Sequence, residues 1–307
     1  MLHYILHRLL WTGPVLLVAT TLAFLVLHLI PGDPVNLMLA GRPASETVRQ
    51  NLRRNLGLDR PIHEQYVHFV VRAVRGDFGI SFRTREPVIE EIARQLPATL
   101  ELATAGILVG VSVGMMLGLI AGLRPNTYLD GTTMLVALLG ISLPGYWTAM
   151  ILIYVFGLRL GWVPIVAGGG LQALILPSIV VGSFAVGDIA RLVRASIVEI
   201  RMEDYIRTAR AKGLPEGRVV FRHALRNALI PVVTLIGLQL GLFVGGGVIT
   251  ETVFARQGIG SLLVGALLEK DYPVVQAVIV LTTGAYIFAN LAVDLAYALL
   301  DPRIRYA

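Results

Sequence analysis

The run TLELATAGILVGVSVGMMLGLIAGL, residues 99–123, decides the fold. It holds one ionisable residue, Glu101, close to its start. A helix crosses the hydrocarbon core with about 20 mostly apolar residues. This run supplies them without the alternation of a half-buried strand. Its glycines, Gly106, Gly110, Gly114, Gly118 and Gly122, recur at every fourth position. Such positions share one slowly rotating ridge of a helix, and glycine there lets a second backbone come close. The ridge reads as tight packing within the chain, or as a surface along which helices slide during a working cycle. The two readings are compatible.

Five more stretches of this kind flank it, at residues 9–30, 132–158, 171–190, 228–250 and 272–300. The stretch at 171–190 is the weakest, because Pro177 interrupts it and Asp188 stands near its end. The first is longer than a signal-peptide core of about 7–15 residues and runs into the turn Pro31-Gly32-Asp33-Pro34, so it reads as a retained helix. The fifth repeats the small-residue device with Gly237, Gly241 and Gly245. The expectation is an all-α polytopic membrane protein with six transmembrane helices.

Composition agrees. Of 307 residues, 55% are hydrophobic and 15% charged, with a mean hydropathy of +0.73; a soluble chain carries about 25% charged residues. Cysteine is absent, which excludes disulfides, thiolate metal sites and a cysteine nucleophile. The net charge is +6, and in a membrane protein its placement carries the information. Arg8, Arg124, nine basic residues from Arg191 to Arg226, Arg303 and Arg305 fall on one side of a six-span topology. Arg159, Arg256 and Lys270 fall in the opposite short loops. Thirteen against three puts both termini in the cytoplasm. The external segment from Pro31 to Ala98 holds ten arginines, offset by eight acids. Segments longer than about 60 residues cross largely regardless of charge. It is expected to fold into short helices and turns.

Polar groups at membrane depth are costly and often functional. Asp294, one turn after Asn290, could line a polar pathway or bond a neighbouring helix. Asp188 and Arg191 stand at helical spacing for a local ion pair. Catalytic constellations are missing. Neither lysine, Lys212 or Lys270, sits in a G-x-x-x-x-G-K-[ST] phosphate loop. His63-Glu64-Gln65-Tyr66-Val67-His68 has one residue too many for a zinc-protease helix, and the run Gly140-Ile141-Ser142-Leu143-Pro144 lacks the closing glycine of a G-x-S-x-G elbow. The basic cytoplasmic segment is poor in aromatics and lies beside the membrane, so nucleic acid is not expected as a partner.

The most specific signal lies between the fourth and fifth spans: Glu203-Asp204-Tyr205-Ile206-Arg207-Thr208-Ala209-Arg210-Ala211-Lys212-Gly213-Leu214-Pro215. Acids suit a helix N-terminus, Gly213 suits the C-terminal stop, and Pro215 prevents continuation. A short helix of about two turns is expected, then a second one at residues 216–228 leading to Pro231. Such a helix, parallel to the membrane, is either a handle for a cytoplasmic partner or a basic helix resting on anionic lipid.

This run, with Ile230-Pro231 beyond it, resembles the "EAA" loop of ABC importer permeases. Arg207, Thr208 and Ala209 fill the E-A-A positions, and the glycine is Gly213. The form D-Y-x-R-T-A-R-A-K-G is typical of the dipeptide/oligopeptide/nickel branch. Other signatures resemble that branch in order along the chain: Pro31-Gly32-Asp33-Pro34, Leu56-Gly57-Leu58-Asp59-Arg60-Pro61, Gln65-Tyr66, Gly76-Asp77-Phe78-Gly79-Ile80-Ser81, Arg222-His223-Ala224-Leu225-Arg226-Asn227-Ala228, and Asp301-Pro302-Arg303-Ile304-Arg305-Tyr306. The chain looks like the B-type of two paired permeases, and glutathione importer permeases are similar.

The resemblance implies the type I importer permease fold. It divides the chain into residues 1–98, the first helix with the external segment, and residues 99–307, a five-helix core with the coupling loop 191–227. It also implies partners: a homologous second permease, two cytoplasmic ATPases that bind ATP and magnesium, and an external substrate-binding protein. The chain itself needs no cofactor on this reading. Residues Asp204, Tyr205, Arg207, Thr208, Ala209, Arg210, Ala211, Lys212 and Gly213 would couple to an ATPase, and the cargo would be short peptides, with glutathione or nickel chelates as alternatives. A stand-alone ion-gradient transporter or channel is the competing class.

Overall fold

The computed structural model describes residues 2–29, 35, 39, 45–164 and 170–300, without the side chains of Arg226, Gly245, residues 293–300 and some others. Among the described residues, pairing of extended chain is limited to one bridge, Ile80 with Pro87. Helices make up the rest of the architecture: α1 (Leu2–Leu29), α2 (Glu46–Leu56), α3 (Ile62–Val74), α4 (Val88–Leu123), α5 (Tyr128–Ser142), α6 (Gly145–Leu152, continued as a π-helix over Ile153–Arg159), α7 (Gln172–Ile200), α8 (Asp204–Ala211), α9 (Leu225–Gly246), α10 (Val248–Val253), α11 (Ile259–Leu268) and α12 (Tyr272–Leu300). The chain divides into two compact units, one of Leu100–Arg256 with the end of α12, the other of Leu2–Thr99 with Gln257–Ile287.

In the first unit, α4 and α7 pack by their ridges. A β-carbon on Gly106 would stand 2.7 Å from Val181 Cγ1, one on Gly110 2.7 Å from Ala185 Cβ, and one on Gly114 2.9 Å from Ile189 Cβ. The same holds for Gly118 with Val193 at 2.7 Å and Gly122 with Ile197 at 2.8 Å. Five glycines at a spacing of four thus receive five branched or small residues at a spacing of four, two i±4 rows in register. The offset is constant, so the two helices run in the same direction. On another side of α7, a β-carbon on Gly187 would stand 2.7 Å from the Ala137 carbonyl oxygen of α5, and one on Gly140 of α5 would stand 2.7 Å from the Ser183 carbonyl oxygen. That pair is antiparallel, and its far end is closed by Arg194, which donates Nε and Nη2 to Asp130 at 2.6 and 2.7 Å.

Among the described residues the structure departs from the six expected spans. Residues 132–158 do not form one straight helix: α5 stops at Ser142 and the chain from Gly145 to Arg159 turns by 104°. The cause is Pro144, which drives Leu143 out of helical geometry, to φ −83° and ψ 131°. Pro177 does not interrupt its helix. It is the sixth residue of α7, so only one bond, to the carbonyl four residues back, is lost close to the helix start. As α7 runs to Ile200, Asp188 sits mid-helix rather than near an end, paired with Arg191 at 2.6 Å and accepting from Gln239 at 3.2 Å. Pro231 lies inside α9 rather than at its entry, where the chain bends by 46°. The expected separate helix at 216–228 is a turn, Glu216–Arg218, and a π-helix, Val219–Ala224, that merge into α9. Among the described residues α4, α7 and Tyr272–Ala292 of α12 are long and apolar enough to cross a membrane, or up to five if each bent pair is one span. In α1 the apolar stretch is Thr12–Leu25.

The second unit gathers the external segment. Phe78, Val88 and Ile92 form a core with Ile259, Leu262, Tyr272, Val274 and Val278. Gly76 ends α3 at φ +75°, a left-handed position that glycine takes without strain. Asp77 then accepts from Arg72 Nε and the Gly79 amide, both at 2.9 Å, which holds its carboxyl below the usual carboxylate range. The Gly76-Asp77-Phe78-Gly79 signature is therefore a turn that seats Phe78 in this core. Asp271, 2% exposed, accepts from Ser81 Oγ at 2.5 Å and the Arg83 amide at 3.1 Å, tying the following turn to the start of α12.

Candidate functional site

Helix α8 forms as the sequence predicts. Glu203 and Asp204 open it, and Gly213, at φ +77°, closes it. The Gly213 amide donates to the Arg210 carbonyl at 2.9 Å and the Leu214 amide to the Ala209 carbonyl at 3.3 Å. These two reversed bonds satisfy carbonyls that the helix end would leave open. Arg210 then donates Nε and Nη2 to Glu216 at 3.1 and 2.7 Å, which holds that carboxyl below its ordinary range and locks the helix to the next turn.

The helix has two faces. Ile206 is fully buried and Ala209 nearly so, within a core that includes Ile197, Val219 and Ala224, with Leu123, Ile200 and Leu214 packed against it. These come from the ends of α4 and α7 and the root of α9. Arg201, at the end of α7, donates to the Gly122 and Leu123 carbonyls at 3.2 and 2.6 Å, capping α4. Tyr205 is half exposed, and its hydroxyl accepts from Asn227 Nδ2 at 2.8 Å. The opposite stripe, Asp204, Arg207, Thr208 and Ala211, is exposed, and Lys212 continues it. The sequence-derived set Asp204, Tyr205 and Arg207 to Gly213 thus separates into residues that seat the helix, Ala209, Arg210 and Gly213, and residues it presents. A displacement of α8 must move the ends of three other helices, because Ile206 is embedded among them.

Sequence reasoning missed Ile206, although it is the one long aliphatic residue in an otherwise polar helix, three positions before Ala209. It also missed the Asp130–Arg194 clamp. Its partners are 64 residues apart, and nothing local pairs them. Of the second glycine row, Gly241 is buried and Gly237 half-buried in α9; the surroundings of Gly245 lie outside the described residues. Asn290 is half-buried, and among the described residues its Oδ1 has no hydrogen-bond partner. The side chain of Asp294 and the segments 31–34 and 301–307 lie outside the described residues.

Residues 114–306 match the family described as binding-protein-dependent transport system inner membrane component, and residues 1–103 match its N-terminal companion. The chain belongs to this permease family. It is 45% identical over 306 residues, the full length of both chains, to the glutathione transport system permease protein GsiC of Escherichia coli K12, and equally to that of Shigella dysenteriae. The inward-facing methionine ABC transporter MetNI has a chain that superposes with a TM-score of 0.56 at 20% identity, over 68% of this chain and 96% of that one. At that identity the likeness concerns the fold. The molecule is thus a multi-pass inner-membrane permease subunit of an ABC importer, and not itself an enzyme. The dipeptide/oligopeptide/nickel resemblance read from its motifs stands.

Proposed function

We propose that this permease subunit forms half of an import pathway for short peptides, and that glutathione, itself a tripeptide, is the cargo to test first. The observation that carries the substrate reading is the 45% identity to glutathione permeases along the whole chain. A homologous permease completes the pathway, a substrate-binding protein delivers the cargo, and two ATPases holding ATP and magnesium drive the cycle. The stripe Asp204, Arg207, Thr208, Ala211 and Lys212 docks on one ATPase, while Ile206 and Ala209 carry its movement into α4, α7 and α9. What supports this division is burial: one face of an eight-residue helix is sealed into the membrane unit and the other is exposed. The two glycine rows and the pathway role of Asn290 and Asp294 belong to the same proposal.

Two measurements test it. In proteoliposomes holding the assembled importer and its binding protein, ATP-driven uptake of labelled glutathione is expected, with dipeptides as the comparison. Uptake of dipeptides alone would move the substrate reading within the peptide class, and uptake without ATPases would replace the importer by a secondary transporter. Separately, Ala211→Glu, on the exposed face, is expected to abolish substrate-stimulated ATP hydrolysis while the permease still folds. Full stimulation in that variant sinks the docking assignment.

A further inference from the structure

The chain from Gly145 to Arg159 turns by 104° from α5 and is apolar on two faces. One face is accounted for: Ala149, Leu152, Ile153 and Phe156 pack with Leu176 and Val180 of α7 and with Phe254. The other carries Tyr146, Trp147, Met150, Ile151, Tyr154 and Leu158, all between 38% and 64% exposed. Three of these six are Tyr or Trp, whose rings have an apolar body and a polar tip, and such rings gather at membrane–water interfaces. They occur along the length of the segment, whereas a helix crossing the bilayer would collect them at one end. Trp162, just beyond, is 68% exposed. The segment's one formal charge closes it: Arg159 donates Nε to the Tyr154 hydroxyl at 2.9 Å and sits 5.4 Å over that ring. A guanidinium has five donors, so others can take a lipid phosphate.

We infer that Gly145–Arg159 is not the outer half of a membrane span but an interfacial helix, lying in the plane of the external leaflet with its aromatic face on lipid headgroups and glycerol. Height decides against a span. The 15 residues of α5 rise about 22 Å from the cytoplasmic side, where Arg124 precedes them. The hydrocarbon core is about 30 Å thick, so the elbow at Leu143-Pro144 arrives within about 10 Å of its outer boundary, the depth at which interfacial helices lie. After a turn of 104° the next segment gains almost no height. It is also short enough to be held there by α7, into which Gly145 fits closely: a β-carbon on it would stand 2.7 Å from the Phe184 ring.

The experiment is depth measurement by spin labels, helped by the natural absence of cysteine from this chain. Trp147→Cys, Met150→Cys, Tyr154→Cys and Leu158→Cys are each labelled with a nitroxide. The full chain is reconstituted in lipid nanodiscs, alone and in an importer assembled from cysteine-free partners, and accessibility to oxygen and to a water-soluble nickel chelate is read. The expected result is one shallow depth for all four, within about 5 Å, one helical turn. Leu135→Cys and Leu139→Cys on α5 calibrate the scale, since they differ by about 6 Å of rise. A graded depth of about 15 Å from position 147 to 158 overturns the inference in favour of a broken or re-entrant span. Loss of oxygen access at all four positions, alone or only on assembly, overturns it in favour of a protein contact, and nickel access without oxygen access in favour of open solvent.

Discussion

Within the motif Asp204–Gly213, neighbouring residues have opposite jobs. Ile206 is fully buried, and burying such a side chain contributes about 1.5–3 kcal/mol. Ile206→Ala is expected to cost about 2–4 kcal/mol and to weaken substrate-stimulated hydrolysis. Arg207→Ala, on the exposed stripe, should leave the melting temperature of the purified permease within about a degree, since exposed positions change stability by about 0.5 kcal/mol or less. Equal melting of the two variants would refute the two-faced assignment. Glu216 gives a pH signature. Its folded pKa is held below the ordinary value of 4.5, chiefly by the hydrogen bond from Arg210. The stabilisation it brings is therefore complete above that ordinary value and lost as pH falls through the folded one. Because the pair is largely exposed, with side-chain exposures of 35% and 55%, the effect is about 0.2–1 kcal/mol. Wild type should melt slightly above Glu216→Gln at neutral pH, and the gap should close in strongly acidic buffer.

Between elements, the ridge of α4 on α7 sets the tolerance of each glycine. A β-carbon on Gly118 would stand 2.6 Å from the Ala190 carbonyl oxygen and 2.7 Å from Val193 Cβ, both on a rigid helix. Gly118→Ala is expected to destabilise by about 1–3 kcal/mol. Gly131, exposed on α5 with nothing within 4 Å of such an atom, should accept alanine with a gain of up to about 1 kcal/mol. Thermal unfolding of the two variants in the same lipid decides the matter; similar values would mean the helices part easily. The glycine spacing was legible in the chain, and so was its meaning as close packing. Its partner was not, because Val181, Ala185, Ile189, Val193 and Ile197 recur at four like many helix rows. The break at Leu143-Pro144 was visible as a proline, yet Pro177 and Pro231 look the same in sequence. What separates them is position: Pro177 falls near a helix start, and Pro231 bends α9 by less than half the angle found at Pro144.

At the scale of the whole molecule, the thirteen-to-three distribution of basic residues predicts a cytoplasmic α8. A membrane-impermeant thiol reagent applied to intact cells should label Val74→Cys, 84% exposed, and should leave Lys212→Cys untouched until the membrane is opened. The opposite pattern would invert the topology and remove the ATPase-docking role of α8.

The apolar runs, the expected sidedness and the short capped helix before Gly213 follow from the sequence by itself, because they depend on apolar length, charge placement and local backbone preference. The tertiary structure alone decided three things: that Ile206 and Ala209 turn inward, that Arg194 closes on Asp130 from 64 residues away, and that the third span stops at an elbow. Each depends on which surfaces meet. That is a property of packing in three dimensions, and a hydropathy pattern records only that a surface is apolar, never what covers it.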